Sequence, residues 1–284
     1  MSGTNGLDSI GLPVRDVTGR GAPIVVLYGP SGGGKSTQAI RAFNKRKPYC
    51  LVTRPNALHP YESYRLQHPD EDLTPLADIA AAVLPDIGKD GKPVDVCAIY
   101  EKIVLAFARA CFAKTCPYNA FIVDEYATLL ARAETWFTSN PKYSTKNGYI
   151  DTRTAYRELR RWQSQMFGLL RASGRAVVLI CHEQSPSYNE DSGDPQKNKP
   201  ASPTFGEMRY PGGPNIRPAS MINPTCQEAD AVLRLVVEDG LDTTRRFFST
   251  QVSPKWVAKF PDFDVKPEEA LDLYGLLKKA HYEV

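Results

Sequence analysis

The feature that most constrains this chain is a glycine-rich segment, GPSGGGKST, at residues 29–37. It follows an apolar run at residues 24–27 and precedes a helix-compatible segment that begins at Gln38. This spacing fits the Walker A pattern, in which a buried strand leads into a phosphate-binding loop and then into a helix. The sequence therefore predicts a nucleotide-binding loop between a strand and a helix.

Each residue type in this loop suits the binding of phosphate. Glycine adopts backbone conformations that are closed to other residues, so successive N–H groups can point at phosphate oxygens, and the following helix adds the positive end of its dipole. We expect Lys35 to reach the β- and γ-phosphates of ATP and the Ser36 hydroxyl to bind Mg²⁺. The residues expected around the nucleotide are Gly29, Pro30, Ser31, Gly32, Gly33, Gly34, Lys35, Ser36 and Thr37.

A second motif, FIVDE at residues 121–125, has the Walker B form of an apolar run followed by two carboxylates. A parallel strand would deliver Asp124 at its carboxyl end, beside the phosphate loop, where it can hold Mg²⁺ through water. Glu125 is then placed to polarise an attacking water as the catalytic base. An acidic pair can also simply end a buried strand, but the Walker A motif upstream favours the catalytic interpretation.

A further buried strand is predicted at residues 175–181, which are apolar after Arg175, and it ends in His182, Glu183 and Gln184. In P-loop folds a polar residue at this point lies beside the nucleotide and can hydrogen-bond the γ-phosphate. His182 or Gln184 is therefore a candidate sensor, and His182 joins Lys35 and Glu125 as a predicted catalytic residue. The alternative is that His182 is a hydrogen-bonded structural residue at a strand end.

The order of predicted elements favours an α/β fold with a parallel sheet, because strand, loop, helix and strand follow one another from residue 24 to residue 53. Helices are predicted from Asp95 and from Asp151 or Thr152, and a hairpin-like strand pair is predicted at residues 231–237 and 246–252. We expect a flexible arm at 1–20, an ATPase core at 21–260 and a C-terminal helix at 261–284. The core would contain an insertion at 54–95 and a long loop at 185–220.

Composition sets the broad class of the protein. The 284 residues are 42% apolar and 24% charged, with a net charge of +3, which indicates a soluble globular chain. No apolar run approaches the roughly 20 residues of a membrane span, and residues 1–8 lack a signal-peptide core, so we expect a cytoplasmic protein without a membrane partner. The six cysteines lack paired C-x-x-C spacing and are expected to be buried thiols.

The segment from residue 185 to about residue 230 has no clear periodicity and is rich in proline and glycine. It interleaves aromatic and cationic side chains, which is the combination that single-stranded nucleic acid requires for base stacking and phosphate contacts. A mobile surface loop is the alternative. A polar loop is also predicted at 135–149, and the helix after it carries Arg153, Arg157, Arg160 and Arg161 on one face, which indicates either a solvated face or a contact with nucleic acid or another partner.

Taken in order, these motifs resemble the RecA-like P-loop ATPases encoded by bacteriophages, including compact recombinase relatives associated with single-strand annealing. The resemblance spans roughly residues 22–260. It implies a RecA-like fold with a mainly parallel central sheet flanked by helices. The residues that carry it are 29–37, 121–125, the long helix near 151–172, 177–183, and the terminal strand pair that is followed by Lys255 and Lys259.

The resemblance also implies partners. Residues 185–220 correspond to a DNA-binding loop, and subunits of the family assemble head to tail, which would make Lys255 or Lys259 the cation that reaches a neighbour's γ-phosphate. The chain departs from the family in its long insertion at 54–95 and in its Asp124-Glu125 pair, which is closer to the Walker B of AAA+ proteins and helicases.

Three functions follow as hypotheses. The first is a Mg²⁺-dependent ATPase that binds single-stranded DNA as a homo-oligomer in phage recombination or replication, in the host cytoplasm. The second is a nucleotide-dependent assembly or scaffold ATPase whose partner is a protein. The third is a small-molecule kinase, which the second carboxylate at Glu125 and the lack of an obvious arginine-rich lid disfavour.

Overall fold

The computed structural model describes most of the predicted core. The described residues are 21–43, 48–53, 59–60, 63, 66, 94–146, 148–189, 206–240, 243–251, 253, 255–261 and 265–283. The predicted arm at 1–20, nearly all of the predicted insertion at 54–95, and part of the predicted long loop, 190–205, lie outside them.

A central sheet of eight strands organises the molecule, and a separate pair of short strands lies beside it. The strands are β1 (Ile24–Gly29), β2 (Pro48–Val52), β3 (Ala120–Asp124), β4 (Ala176–Gln184), β5 (Ser187–Tyr188), β6 (Met208–Tyr210), β7 (Gly213–Pro214), β8 (Ala231–Asp239), β9 (Thr244–Ser249) and β10 (Glu268–Ala270). In the sheet their order is β10-β9-β8-β1-β4-β3-β2, and β7 pairs with the end of β4.

The strand order places the two nucleotide motifs on either side of one strand. β8, β1, β4, β3 and β2 are parallel to one another, and β4 lies between the strand that leads into the glycine-rich loop and the strand that ends in Asp124. β9 pairs antiparallel with β8, which confirms the predicted terminal strand pair, and β10 extends the sheet by a further antiparallel strand. This is the RecA-like α/β fold expected from the sequence.

Helices cover both faces of the sheet. They are α1 (Lys35–Phe43), α2 (Val96–Phe112), α3 (Tyr126–Ser139), α4 (Thr152–Ala172), α5 (Ile222–Glu228) and α6 (Leu273–Lys279), with 3-10 turns at Pro141–Tyr143 and Ala219–Met221. α2, α3, α4 and α5 pack on one face, and α1 and α6 pack on the other. The carboxylates of Asp95 and Asp151 accept hydrogen bonds from the first turns of α2 and α4, so both predicted helix starts are confirmed.

Burial on both faces explains why the strands are continuous apolar runs. In β1, Tyr28 belongs to the core under α2 to α4, whereas its neighbour Leu27 belongs to the core under α1 and α6. Alternate residues of a strand point to opposite faces, so a strand covered on both sides has no polar face. Five of the six cysteines are buried in these layers, and Cys116 is half-buried. No helix in the described part is long and apolar enough to cross a membrane.

Three predicted segments differ from the structure. α3 continues to Ser139, into the predicted polar loop at 135–149, because Phe137 is buried against the neighbouring helices. Glu268 and Glu269 lie in β10 rather than in a first helical turn, because the edge of β9 is open to pairing there, and α6 begins only after Asp272. The segment after residue 210 contains α5 as well as loop.

Candidate active site

A pocket of about 430 Å³ opens at the carboxyl ends of β1, β3 and β4. Ligand sites of α/β folds lie at this end of the strands, and the volume falls within the range of small-molecule sites. Of the predicted nucleotide residues, Ser31, Gly32, Gly34, Lys35, Ser36 and Thr37 line the pocket, together with Pro60, Asp124, Glu125, Ile180, Cys181 and His182. The structure therefore brings most of the predicted Walker A residues together with Asp124, Glu125 and His182 in one cavity, whereas Gly29, Pro30 and Gly33 do not line it.

The glycine-rich loop depends on glycine for two different reasons. Gly32 and Gly34 have φ angles of +71° and +100°, in the left-handed region that residues with a Cβ rarely adopt. At Gly29 the reason is space, because a Cβ there would lie 2.5 Å from the carbonyl oxygen of Leu235 on β8. β8 therefore packs against one side of the loop, and the other side of the loop lines the pocket.

Lys35 is folded back over the loop. Its side chain is buried, and its ammonium donates hydrogen bonds to the carbonyl oxygens of Gly29 at 3.0 Å and Pro30 at 2.7 Å. Burial lowers the pKa of this ammonium, while the nearby carboxylate of Asp124 acts in the opposite direction. A bound polyphosphate would add negative charge beside the Lys35 ammonium and favour its protonated form.

Ser36 and Asp124 form a pair of oxygen ligands. The Ser36 hydroxyl donates to a carboxylate oxygen of Asp124 at 2.7 Å, and the other carboxylate oxygen accepts the backbone N–H of Glu125 at 2.9 Å. Hydroxyl and carboxylate oxygens are the donors that Mg²⁺ prefers in nucleotide sites. The donor set therefore fits the predicted magnesium site of Ser36 and Asp124.

Glu125 is held in an unusual conformation between β3 and α3. Its backbone is left-handed, with φ 60° and ψ 43°, which costs on the order of 1–3 kcal/mol for a residue with a side chain. Its carboxylate accepts a hydrogen bond of 2.8 Å from the hydroxyl of Thr53, a buried residue that follows β2. Sequence reasoning missed Thr53, although a polar residue at the end of a strand was a usable signal.

The two sensor candidates have different positions. His182 pairs in register with Gly29 and lines the pocket, whereas Gln184 pairs with Gly213 two residues farther along β4 and does not line it. The geometry therefore favours His182 over Gln184 as the residue beside the nucleotide.

The sequence profile of the AAA domain family matches residues 22–261, which covers the whole of this site. The chain belongs to the AAA domain family. No curated protein matches its sequence.

Two solved structures are similar to this AAA domain at low sequence identity. One is a KaiC-like protein from the archaeon Pyrococcus horikoshii, with 15% identity, a TM-score of 0.39, and coverage of 80% of this chain and 78% of that one. The other is the flagellar accessory protein FlaH from Methanocaldococcus jannaschii, with 12% identity, a TM-score of 0.38, and coverage of 81% and 78%.

Lys255 and Lys259, the two lysines considered for a contact with the γ-phosphate of a neighbouring subunit, do not line the pocket of their own AAA domain. The ammonium of Lys259 donates to the carbonyl oxygens of Ala229 at 2.5 Å and Gln227 at 3.2 Å, at the end of α5. It therefore satisfies carbonyl groups where that helix ends. Lys255 is exposed, and its backbone carbonyl accepts the N–H of Gly212 at 2.7 Å.

A half-buried ion pair links the end of β4 to β8 in this AAA domain. The carboxylate of Glu183, next to His182, lies 3.2 Å from the Arg234 guanidinium, which stacks 3.4 Å from the centre of a Trp256 ring. Trp256 in turn packs so closely on Gly212 that a Cβ there would lie 2.5 Å from the indole. The base of the segment that begins after β4 is thereby fixed against the sheet.

Proposed function

We propose that this protein is a Mg²⁺-dependent ATPase that binds single-stranded DNA as a homo-oligomer during phage DNA recombination or replication. The observation that carries the ATPase part is the meeting of Lys35, the Ser36–Asp124 pair and Glu125 in one pocket. A lysine, a pair of hard oxygen ligands and a second carboxylate are what phosphoryl transfer to water needs for charge neutralisation and for polarising the nucleophile.

The residues divide the chemistry among them. Backbone N–H groups of the glycine-rich loop hold the phosphates of ATP, and the Lys35 ammonium leaves its carbonyl partners for the γ-phosphate. Ser36 and Asp124 would hold Mg²⁺, which neutralises phosphate charge when bound. Glu125 polarises the attacking water and accepts its proton as the bond to the γ-phosphorus forms and the bond to the bridging oxygen breaks, with ADP as the leaving group. His182 donates to the γ-phosphate.

The test of the ATPase is hydrolysis by the purified protein with Lys35→Ala. We expect turnover to fall by at least about a hundredfold, because one charged donor to the transferred group is lost. Lys278→Ala, an exposed lysine at the end of α6, is the matched control and should leave turnover unchanged. Undiminished turnover in Lys35→Ala would contradict the site assignment.

The proposal for DNA rests on a two-stranded arm that leaves the sheet directly after the sensor strand. β5 and β6 pair with each other, and Gln184 and Gly213 pair at the base of the arm. Tyr188 is 45% exposed and Met208 is 37% exposed, so an aromatic and an apolar side chain face outward. Stacking on an exposed aromatic ring is one component of single-strand binding. Phosphate contacts are the other, and two cations of the predicted 185–220 loop that could make them, Lys197 and Lys199, lie outside the described residues.

The test of DNA binding is the stimulation of hydrolysis by single-stranded DNA at several salt concentrations. We expect strong stimulation that falls as salt rises, and a weaker apparent affinity in Tyr188→Ala, by about fivefold or more from the lost base stacking. Tyr274→Ala removes an exposed tyrosine on α6 and serves as the control. Hydrolysis that is indifferent to DNA, with an intact response to Lys35→Ala, would leave the ATPase and favour the second function, an assembly ATPase that acts on a protein through the same exposed arm.

The homo-oligomer is proposed because Lys35 is the one lysine or arginine among the described residues that line the pocket. A cation from a neighbouring subunit would complete the charge neutralisation of the transition state. Lys255 is the better candidate, since the Lys259 ammonium already caps α5. Sedimentation with ATP should detect the oligomer, and hydrolysis should fall in Lys255→Ala while ATP binding persists. A monomer that hydrolyses ATP at the full rate would contradict this part.

A further inference from the structure

Three buried polar side chains, Tyr126, Gln163 and Thr225, form a hydrogen-bonded group next to the predicted catalytic base, and we call it the Gln163 network. The Gln163 amide of α4 donates to the hydroxyl of Tyr126 at 3.1 Å and to the hydroxyl of Thr225 at 2.6 Å. All three side chains have exposed fractions of 2% or less. Both hydrogens of the amide are therefore used, and a fully paired buried network of this kind favours one geometry.

Tyr126 connects the network to Glu125. Tyr126 is the first residue of α3 and directly follows Glu125, whose left-handed backbone joins β3 to that helix. The carbonyl oxygen of Glu125 accepts the backbone N–H groups of Thr128 and Leu129 at 2.8 Å and 3.2 Å. The orientation of Glu125 therefore depends on the position of the first turn of α3, and Gln163 fixes that turn through the Tyr126 phenol.

Thr225 connects the network to the segment that follows the arm. Its hydroxyl donates to the carbonyl oxygen of Met221 at 2.7 Å, just before α5. The same segment begins at the end of β4, where the backbone N–H of Asn215 donates to the carbonyl oxygen of His182 at 2.7 Å. One stretch of chain, residues 213–225, therefore contacts the sensor candidate at one end and the Gln163 amide at the other.

We propose that Gln163 is a positioning residue for ATP hydrolysis, which holds Glu125 through Tyr126 and makes its position depend on the segment 213–225. The inference rests on the proposed function, because it takes Glu125 as the catalytic base. The left-handed conformation of Glu125 is strained, and such strain persists only where the surrounding structure fixes the residue. The hydrogen bond at Tyr126 contributes that fixation, so its loss lets Glu125 relax from the orientation that polarises water.

Hydrolysis and ATP binding by the full-length Tyr126→Phe protein test the contact with α3. Phenylalanine keeps the ring in the core and removes only the hydroxyl. We expect kcat to fall by about three- to tenfold, the effect of about one hydrogen bond, while the Kd for ATP stays the same. A purely structural role would lower the free energy of unfolding and leave kcat of the folded protein unchanged. An unchanged kcat would overturn the proposal.

Gln163→Met tests whether the amide carries the effect. Methionine keeps the length of the side chain and removes both donors, so kcat should fall at least as much as in Tyr126→Phe. Adding Tyr126→Phe to Gln163→Met should cause no further fall, because the contact between the two side chains is already lost. Additive losses would show that Tyr126 and Gln163 act independently, which the proposal does not allow.

Thr225→Val tests the link to the segment 213–225. Valine nearly keeps the shape of threonine and lacks the hydroxyl, so kcat should fall by about two- to fivefold, whereas Thr225→Ser keeps the hydroxyl and should retain the full kcat. The matched control is Thr250→Val, after β9. Thr250 is also buried, and its hydroxyl also donates to a backbone carbonyl at 2.7 Å, that of Lys266. Equal kcat values in Thr225→Val and Thr250→Val would overturn this link.

Glu125→Gln separates this inference from the proposed function. If Glu125→Gln hydrolyses ATP at the full rate, Glu125 is not the base, and the proposed function and the inference both fail. If Glu125→Gln is inactive and Tyr126→Phe has the full kcat, the catalytic base stands and only the positioning role of Gln163 fails. If Glu125→Gln is inactive and Tyr126→Phe is slowed with an unchanged Kd for ATP, both are supported.

Discussion

The two pockets of this protein differ in whether their buried polar groups are hydrogen-bonded. In the nucleotide pocket the polar groups are paired with one another, since Lys35 binds carbonyl groups of its own loop, Ser36 binds Asp124, and Thr53 binds Glu125. In a second pocket, lined by residues of α2, α3 and α4, the buried Trp162 N–H has no partner among the described residues. Because the groups of the nucleotide pocket satisfy one another, that pocket costs little free energy when it is empty. A bound ligand must replace each of these hydrogen bonds. The Trp162 N–H is enclosed by its neighbours, so its missing hydrogen bond costs stability and offers no contact to a ligand.

The largest effect that separates the two pockets should come from Glu125→Gln. We expect kcat for ATP to fall by about 10²–10⁴-fold, because the amide cannot accept a proton from the attacking water, while ATP binding is retained. Single-turnover hydrolysis and nucleotide binding measure the two effects separately.

Glu268→Gln, on β10 at the far edge of the sheet, is the matched change for this test and should keep full activity. A Glu125→Gln protein that hydrolyses ATP normally would show that another group activates the water.

The next largest effect should come from the close contact between β8 and the glycine-rich loop at Gly29. Gly29→Ala would drive a Cβ to 2.5 Å from the Leu235 carbonyl oxygen, so we expect a loss of about 1–3 kcal/mol in the free energy of unfolding together with weaker ATP binding. Denaturant unfolding and nucleotide titration measure both.

Gly168→Ala is the control for that substitution. Gly168 lies within α4, and nothing stands within 4 Å of the position of an added Cβ. Alanine should therefore stabilise the protein by about 0.4–1 kcal/mol through its better helix propensity. A Gly29→Ala protein as stable as Gly168→Ala would mean that β8 moves away without cost.

The same contrast explains what the sequence could predict. The phosphate loop at residues 29–37 could be predicted because the conformations of neighbouring glycines and the start of α1 are local properties. The positions of Asp124 and His182 could be predicted because the apolar runs of β3 and β4 place them at one edge once a parallel sheet is assumed. Thr53 and Glu125 are 72 positions apart, and their contact depends on β2 lying beside β3. The second pocket needs the start of α2, the end of α3 and the middle of α4, and α3 extends into a segment predicted to be a loop. β10 depends on a free strand edge, which no local pattern encodes.

A smaller effect should follow from removing the hydrogen bond that Thr53 donates to the Glu125 carboxylate. The Thr53 hydroxyl binds the carboxylate that must polarise water, so Thr53→Val should raise hydrolysis in the absence of DNA by a few-fold, about the effect of one hydrogen bond. Steady-state hydrolysis with and without DNA measures this change. Thr53→Ser keeps the hydroxyl and should behave as the natural protein, whereas a fall in hydrolysis in Thr53→Val would mean that the hydrogen bond positions Glu125 for catalysis.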